Sequence, residues 1–384
     1  MKTTFKKLLL VLFCAISLNT FAQKPEPVYS FVRVSKDLEW YKQQAKAWKL
    51  EIDNGTIDKM AWVNFYRANR AVSRYYGKKT EKNQTDYLLP LNEIVKMAEK
   101  AIPNTFELYF IQAYDNSSLT ETGQKYLMKA QAIKPFDKII FPDLMNYFQV
   151  KRDQKNIDIL SQKWFENNEI PEGILAANYN VLMSLDKNAI LLVNGDNTTY
   201  PVWVLQQAKQ IRKDVLLLNI SLLINKEYRD AIFKENAIPE LNKLELEDKS
   251  MSMIVKHIIE NVKNRPIYAS IHMDDNVYKD YTDKMYLVGL AFKYSEKPFN
   301  NMAVLQNNFE NKFLLDYLKV NFTDNYAQSV VDQMNLSYLA VFLKIYEQYQ
   351  LCGETVKAQK VKELAKTVSA DSSVGTEWLK YFEK

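Results

Sequence analysis

The stretch AILLVNGDNTTYPVWVLQQAKQ, residues 189–210, joins an apolar run to a helical pattern through a short polar turn. The run at 189–193 has no polar interruption, which is typical of a strand buried on both faces. After Pro201 the apolar residues recur at helical spacing, at Val202, Leu205 and Ala208. A strand that leads through a turn into a helix is half of a βαβ unit, so the stretch predicts an α/β fold here.

The following residues repeat this alternation. Residues 214–223 form a second apolar run, and residues 265–273 form a third that Pro266 opens at its edge. Helical spacing occupies residues 225–234 and 250–262 between these runs. Residues 284–294 are apolar and fit either a fourth strand or a short helix. The order predicts parallel strands joined by right-handed crossovers, in a small α/β domain at residues 188–300.

Helical patterns flank this predicted domain on both sides. Residues 23–187 read as helices, and Pro103, Pro135 and Pro171 follow helical stretches at intervals of 32 and 36 residues. A period near 34 is typical of tetratricopeptide (TPR) repeats, although unrelated helical hairpins would also fit. Residues 301–384 predict a C-terminal helical hairpin region. The predicted fold class is therefore α/β with α-helical repeats, with TPR-like hairpins flanking a parallel sheet.

The first 22 residues predict a secretory signal peptide. Three lysines precede an apolar core that is too short to span a bilayer, and Ala22 offers a small residue for cleavage. We therefore expect a soluble, exported product in the periplasm or outside the cell. A lipid-anchored product is the alternative, but Phe13 precedes Cys14 where a lipidation motif requires a small residue. No later stretch is long and apolar enough to predict a transmembrane segment.

Composition argues against several classes of function. The formal net charge is +5, and three of the positive charges lie in the predicted signal peptide, which disfavours a nucleic-acid partner. The 8 glycines form neither GxGxxG nor GxxxxGK[ST]. Beyond the signal peptide, Cys352 is the only cysteine, and we expect a packed thiol at the hinge of a helical hairpin rather than a nucleophile, since no histidine is near it in sequence. With only two histidines, zinc sites and His-dependent triads are disfavoured, and we predict no metal and no cofactor.

Polar residues follow each of the three predicted strands. Ligands in α/β proteins bind where the carboxyl ends of parallel strands meet. The predicted ligand-binding residues are Asp196, Asn197, Thr198, Asn219, Ser221, His272 and Asp274. Such groups could bind a sugar hydroxyl, a peptide group or a hard cation through oxygen. The sequence assigns no catalytic residue.

The same residues also have a purely structural interpretation. Asp and Asn are common in turns because they tolerate left-handed backbone and bond their own main chain. Thr198 or Thr199 would serve as a helix N-cap, and Pro201 would suit the first helical turn. His272 would be an exposed loop histidine. The sequence leaves open whether Asp196 has a chemical role or only belongs to the turn.

A family resemblance rests on NAILLVNGDNTTYPVWVLQQAKQIRKDVLLLNISLL, residues 188–223, with RPIYASIHM and MYLVGLAFKY further along. These stretches resemble the soluble C-terminal region of a family of large membrane proteins common in Bacteroidetes. Its membrane part is similar to protein O-mannosyltransferases. The family pattern has a second acidic residue where this chain has Thr198, and no counterpart of the membrane domain is expected here. The resemblance implies an α/β domain with TPR-like helices and makes glycan-related work conceivable.

These observations favour a non-enzymatic function. We predict an exported scaffold for protein–protein interaction, or an accessory subunit of an envelope complex. Its partner would be another envelope protein or a membrane-protein complex. The alternative is a glycan-related enzyme or a carbohydrate-binding protein that uses the Asp196 loop.

Overall fold

Helices account for most of the chain in the computed structural model, which describes residues 25–30, 33–76, 86–241, 250–320, 327–370 and 372–383. The predicted signal peptide lies outside the described residues. Contacts between residues group the chain into two compact units, which divide at Lys134 and Pro135. The short segment 33–34 belongs with the second unit.

The first unit is entirely helical in its described part. Its helices are α1 (Leu38–Asp53), α2 (Met60–Tyr76), α3 (Leu91–Ala101), α4 (Phe106–Asn116) and α5 (Glu121–Ile133). Consecutive helices pack most extensively as pairs, α1 with α2 and α4 with α5. Tyr41 and Ala45 of α1 meet Ala68 and Val72 of α2 in a buried cluster. Small residues at such contacts let two helix axes approach closely, as the repeat pattern indicates.

Three helices begin the second unit and lead into the sheet. They are α6 (Phe141–Val150), α7 (Gln154–Glu166) and α8 (Glu172–Met183). The alternating part follows, with β1 (Ile190–Val193), α9 (Asp196–Lys209), β2 (Leu216–Asn219), α10 (Lys226–Glu235), α11 (Ser250–Asn261) and β3 (Ile267–Ser270). A 3-10 segment (Asp275–Lys284) precedes β4 (Met285–Leu287) and β5 (Ala291–Tyr294).

The sheet has five strands in the order β2-β1-β3-β5-β4. β1 pairs in parallel with β2 and β3, as predicted, and every residue of β1 and β3 is buried. β5 pairs antiparallel with both β3 and β4, so the sheet is mixed rather than wholly parallel. The predicted fold class, α/β with α-helical repeats, is confirmed, whereas the TPR-like assignment of the helices stays a prediction.

Hydrogen bonds and an ion pair made by Arg212 hold the amino end of the sheet. Arg212 donates to the carbonyl oxygens of Leu182, Leu185 and Asp186, at 2.6–2.9 Å, and pairs with Asp214 at 2.9 Å. The hydrogen bonds from Arg212 lower the pKa of Asp214 to about 2. This end of the sheet is therefore fastened to α8, opposite the end where ligands are expected.

The second unit ends in helices. They are α12 (Asn301–Asn311), α13 (Gln328–Asn335), α14 (Tyr338–Leu351), α15 (Thr355–Ser369) and α16 (Ser373–Leu379). The tightest pair is α14 with α15, which forms the predicted hairpin across Gly353. Cys352 at its turn is exposed, so the expectation of a packed thiol was wrong. In the described ranges, no helix combines the length and apolar character needed to cross a membrane.

Candidate functional site

The turn between β1 and α9 begins at the carboxyl end of the central strand. Gly195 stands at the N-cap of α9 with φ +93 and provides no side-chain cap, and the helix starts at Asp196. The prediction that Thr198 or Thr199 caps the helix was therefore wrong. A left-handed φ suits glycine, which lets the strand turn directly into the helix without a longer loop. Asp196 lies half-buried in the first helical turn.

Asp196 has an electrostatic reason to occupy that position. The free N–H groups at the start of a helix carry partial positive charge, and a carboxylate in the first turn is stabilised by them. This accounts for an acidic residue at the sheet edge without a ligand. It also leaves Asp196 placed at the carboxyl edge of the parallel strands, where a ligand would bind.

Pro201 lies inside α9, rather than in the first turn as predicted. A proline has no N–H, so it cannot donate to the carbonyl oxygen of Asn197 four residues earlier. Asn178 of α8 supplies a donor instead, because its Nδ2 lies 2.8 Å from that oxygen. The same Nδ2 also donates to Ile174 at 2.8 Å. Asn178 is fully buried and ties the start of α9 to α8.

Thr199 and Asn219 join the ends of β1 and β2. The Thr199 hydroxyl donates to the carbonyl oxygen of Gly195 at 2.8 Å and accepts from Asn219 Nδ2 at 2.8 Å. Asn219 Oδ1 accepts from the backbone N–H of Leu222 at 2.9 Å, where a short 3-10 turn begins. Thr198, Thr199 and Asn219 are all buried. Both amide atoms of Asn219 thus serve the fold.

Ser221 and Asp274 lie at the exposed ends of their connections. The Ser221 hydroxyl donates to Met251 Sδ at 3.6 Å. Asp274 caps the 3-10 segment that follows, and its Oδ1 accepts from the backbone and side chain of Asn276 at 3.0 and 2.9 Å. These two predicted site residues have the local roles that turn chemistry assigns to serine and aspartate.

His272 is more enclosed than its loop position indicates. Its Nδ1 lies 3.4 Å from the Ser270 hydroxyl, and its Nε2 is covered and has no partner among the described residues. Burial lowers the pKa of His272 to about 4, and the polar backbone of nearby Met334 partly opposes this shift. The interpretation of His272 as an exposed loop histidine was therefore wrong. The ring is neutral at physiological pH.

Two further buried polar atoms lie on elements that adjoin this edge. Asn178 Oδ1 on α8 and Asn335 Oδ1 at the end of α13 have no hydrogen-bond partner in the described part of the chain. α8 and α13 pack against each other, and any side chain at Gly173 of α8 would collide with Val331 of α13. Buried polar atoms normally have partners, so these three orphan atoms need an explanation.

The hydrogen bonds thus give the predicted site residues different partners. Asn219 bonds Thr199, the Asn197 carbonyl oxygen accepts from Asn178, and Ser221 and Asp274 have separate local partners. Sequence reasoning missed Asn178 and Asn335, which lie outside the predicted α/β residues 188–300. One signal existed for Asn178, because a proline inside a helix requires a substitute donor for the carbonyl that it leaves free.

Trp203 and His257 have structural roles. Trp203 is buried and packs against Tyr200, with ring centroids 6.0 Å apart. His257 stacks on Phe233 at 5.6 Å, and its Nε2 lies 2.7 Å from the Pro239 carbonyl oxygen. Across the described ranges, no group of three His, Cys, Asp or Glu residues could hold a metal ion.

Comparison with known sequences finds one family model that matches part of the chain. The sequence model of TMEM260-associated domain 2 matches residues 175–238, which run from α8 through β1, α9, β2 and α10. The match therefore covers the Asn178 contact and the turn at Asp196. It is consistent with a TMEM260-like family. No curated protein and no solved structure matches the chain.

Proposed function

We propose that the chain is a non-enzymatic interaction protein, either a scaffold or an accessory subunit of a complex in the cell envelope. The main support is how the polar residues at the sheet edge are used. Asn219 spends both amide atoms on the fold, Thr199 links two strand ends, and Asp274 caps its own turn. A site built for catalysis would instead leave such groups pointing at a reacting atom.

The helical hairpins support the same proposal. Arrays of paired helices bury one face against their neighbours and leave extended surfaces on which other proteins bind. Consecutive helices form such pairs in both units, including α1 with α2 and α14 with α15. The location in the envelope, with export through a signal peptide cleaved near Ala22, rests on the sequence pattern alone.

The family relation bears on the partner. The resemblance to Bacteroidetes proteins with a protein O-mannosyltransferase-like membrane part favours a role beside membrane-bound glycan chemistry, and the match to TMEM260-associated domain 2 is consistent with a TMEM260-like family. We propose that this chain contacts another envelope protein or a membrane-protein complex. The partner is proposed from sequence similarity and not from the fold, because one fold can serve many functions.

Cross-linking in cells tests the proposal. The full-length chain would carry a C-terminal affinity tag at its own locus, and cells would be treated with an amine-reactive cross-linker before purification. We expect one envelope protein to co-purify in a fixed ratio and to form a cross-linked adduct. A chain that stays in the cytoplasm, or that elutes as a free monomer with no adduct at its native level, would contradict the proposal.

A second function is favoured by the three orphan polar atoms. Asn178 Oδ1, His272 Nε2 and Asn335 Oδ1 are buried and unpartnered among the described residues, and a polar ligand would supply a missing partner. The resemblance makes a sugar the first candidate. In this interpretation the chain is a carbohydrate-binding protein or a glycan-related enzyme that uses the Asp196 loop.

Thermal shift with sugars and with Ca²⁺ separates the two functions. A ligand at the sheet edge should raise the Tm of the wild type and of Asp280→Ala, an exposed control, but not that of Asp196→Ala. If no monosaccharide, disaccharide or Ca²⁺ shifts the wild type at millimolar concentration, the ligand-binding alternative loses its support. A shift shared by all three proteins would place the ligand elsewhere.

A further inference from the structure

A groove in the second unit has the chemistry of a docking surface. It lies among α12, α14 and α15, encloses about 580 Å³, and is neither closed nor flat. This volume is within the range of ligand pockets, roughly 300–1,000 Å³, and exceeds what one side chain fills. We call it the α12–α15 groove. Its apolar lining comes from Phe309, Tyr349, Val361 and Leu364.

The residues that α15 contributes to the groove lie on one face of this helix. The residues of this helix that line the groove include Lys357, Lys360, Val361 and Leu364, which are related by steps of three (357–360 and 361–364) and four (357–361 and 360–364). That spacing puts them on one face of the helix. The adjacent face of the helix is packed against other elements, since Ala358 and Ala365 are buried and Lys362 donates to the Phe382 carbonyl oxygen at 2.8 Å.

The rim of the groove is positively charged. Lys319, Lys357 and Lys360 line it, against one acidic residue, Glu363. Glu363 is already paired with Lys366 at 3.0 Å. Lys360 is exposed and has no ion pair with any residue that the structure describes. The rim therefore has an uncompensated positive charge above an apolar floor.

The other two lysines of the rim differ in how strongly nearby carboxylates neutralise their charge. Lys357 is held by Glu354 at 2.5 Å and by Glu310 at 3.2 Å, and Glu310 also accepts from the Tyr349 hydroxyl at 2.7 Å. This anchored cluster closes one part of the groove. Among the described residues, Lys319 pairs with the fully exposed Asp316 alone, at 3.3 Å, and such surface pairs hold a side chain weakly. Lys319 and Lys360 are thus available to an incoming anion.

Apolar surface continues beyond the groove. Val356 precedes Lys357 on α15 and is 70% exposed, and Val320 follows Lys319 and is 50% exposed. Large apolar side chains exposed next to an apolar groove are typical of surfaces that another molecule covers. A binding partner would therefore find apolar contacts in the groove and on both sides of its charged rim.

We propose that the α12–α15 groove binds an amphipathic helical segment of a partner protein, with apolar side chains in the groove and carboxylates on Lys319 and Lys360. An amphipathic helix lays one apolar face into an open groove and keeps its other face in water. An acyl chain needs a closed tunnel to leave water, and this groove opens to solvent. The inference rests on the proposed scaffold function and names the kind of segment that the scaffold recognises.

Selection of peptides on the protein itself tests the inference and requires no identified partner. A phage library of random 16-residue peptides would be selected on the immobilised full-length chain. We expect enriched peptides to carry apolar residues at intervals of three and four together with several Asp or Glu residues. Synthetic versions should bind the double variant Lys319→Glu and Lys360→Glu about tenfold more weakly at low salt.

Matched controls keep the result specific. The double variant Lys226→Glu and Lys256→Glu makes the same charge change on α10 and α11 and should bind like the wild type. Thr367→Trp, at an exposed edge of the groove, should block binding without any change of charge. Circular dichroism would check that each variant is folded.

Three results would overturn the inference. They are enriched peptides without acidic residues, peptides that bind the groove variants as well as the wild type, and displacement by fatty acids but not by peptides. Failure of the proposed function looks different, because it requires that no partner is cross-linked in cells. If a partner is cross-linked equally to the wild type and to the groove variant, the scaffold proposal stands, but the groove is not where that partner binds.

Discussion

His272 lies two residues after β3 with its Nε2 covered and unpartnered among the described residues. Burial lowers its pKa from 6.5 to about 4, so between these values the unfolded chain binds a proton that the folded chain does not. Stability therefore falls as the pH falls from about 6.5 to 4. The full loss from this residue is about 3 kcal/mol.

Replacing His272 by glutamine should remove this part of the pH dependence, because glutamine does not titrate. Urea unfolding from pH 7 to pH 4.5 should give a much flatter profile for His272→Gln than for the wild type. Asn311→Ala, a surface change at a residue that does not titrate, is the control and should keep the wild-type slope. Equal slopes in all three proteins would mean that His272 is as protonated in the folded chain as in the unfolded chain.

Acidic residues contribute below this window. Asp186, Asp214, Glu296 and Glu310 have lowered pKa values because they accept hydrogen bonds from side chains such as Lys293, Arg212, Lys284 and Tyr349. A carboxyl with a lowered pKa stabilises the fold above its ordinary pKa and loses that effect as the pH falls further. The contribution of His272 to stability can therefore be separated by pH from the contribution of these carboxyl groups.

Asn219 provides a test of how the strand ends are joined. Asn219→Ala leaves the Leu222 N–H without its acceptor and removes the donor to Thr199, at a cost of about 1–3 kcal/mol in the free energy of unfolding. Asn219→Asp should also destabilise. The Thr199 hydroxyl already donates to Gly195, so it would face a second acceptor at close range.

Denaturation of both variants checks this prediction against an exposed asparagine. Asn311→Ala on α12 removes one surface hydrogen bond and should change stability by less than about 0.5 kcal/mol. If Asn219→Asp is as stable as the wild type, the donor and acceptor roles assigned to Asn219 and Thr199 are reversed.

At the scale of elements, the junction of α8 and α9 depends on an amide that replaces a missing backbone donor. Pro201 cannot bond the Asn197 carbonyl, and Asn178 does so at 2.8 Å. Asn178→Ala should cost about 1–3 kcal/mol in the wild type. In a Pro201→Ala background the helix supplies its own N–H, so the same change should cost less.

A double-mutant cycle on these two positions measures the coupling directly. Adjacent groups in one network usually couple by about 0.5–3 kcal/mol. We expect a coupling in this range, with the Asn178 effect smaller when Ala replaces Pro201. Purely additive effects would show that Asn178 stabilises α8 alone, through its bond to Ile174.

The β4–β5 connection gives a second element-scale prediction. A Cβ at Gly289 would lie 2.2 Å from Ser184 Oγ and 2.8 Å from Ser184 Cβ, at the end of α8. Ser184 cannot move freely, since its hydroxyl donates to Asn180 and accepts from the Leu290 N–H. Gly289→Ala should therefore destabilise by about 2–3 kcal/mol, because close-packed sites do not absorb an added methyl.

Gly353→Ala is the matched comparison for Gly289→Ala. Gly353 also has a positive φ, +72, but a Cβ there would meet nothing within 4 Å. Only backbone strain remains, which costs about 1–2 kcal/mol for an alanine. Thermal unfolding should therefore rank Gly289→Ala as the less stable variant. The opposite order would mean that Ser184 shifts without loss of its hydrogen bonds.

The elements that can be predicted from the sequence are those in which either one face or every residue is buried. Residues 190–193 are an unbroken apolar run and form β1, and the helical spacing at 250–262 matches α11. Residues 284–294 could not be assigned from pattern, since they contain two short strands around Gly289 that pair antiparallel. Such a hairpin depends on space beside Ser184, and periodicity contains no information about distant neighbours.

At the scale of the whole molecule, the contacts divide the chain at Lys134 and Pro135, within the predicted helical region 23–187. The reason is that α7 and α8 share buried faces with α9. The helices look alike in sequence, because a helix packed on a sheet domain has the same apolar period as one packed on another helix. The predicted boundaries at 187 and 300 stay a prediction.

Each unit has its own buried core, so the two units should unfold as separate cooperative blocks. Ile111→Ala in α4 and Leu191→Ala in β1 each remove a fully buried side chain, and each should cost about 2–5 kcal/mol. We expect hydrogen exchange in mild urea to accelerate only in peptides of the altered unit. Ile111→Ala should leave β1 and β3 protected, and Leu191→Ala should leave α4 and α5 protected. If either variant speeds exchange equally in both units, the chain unfolds as one block and the division at residue 134 has no energetic meaning.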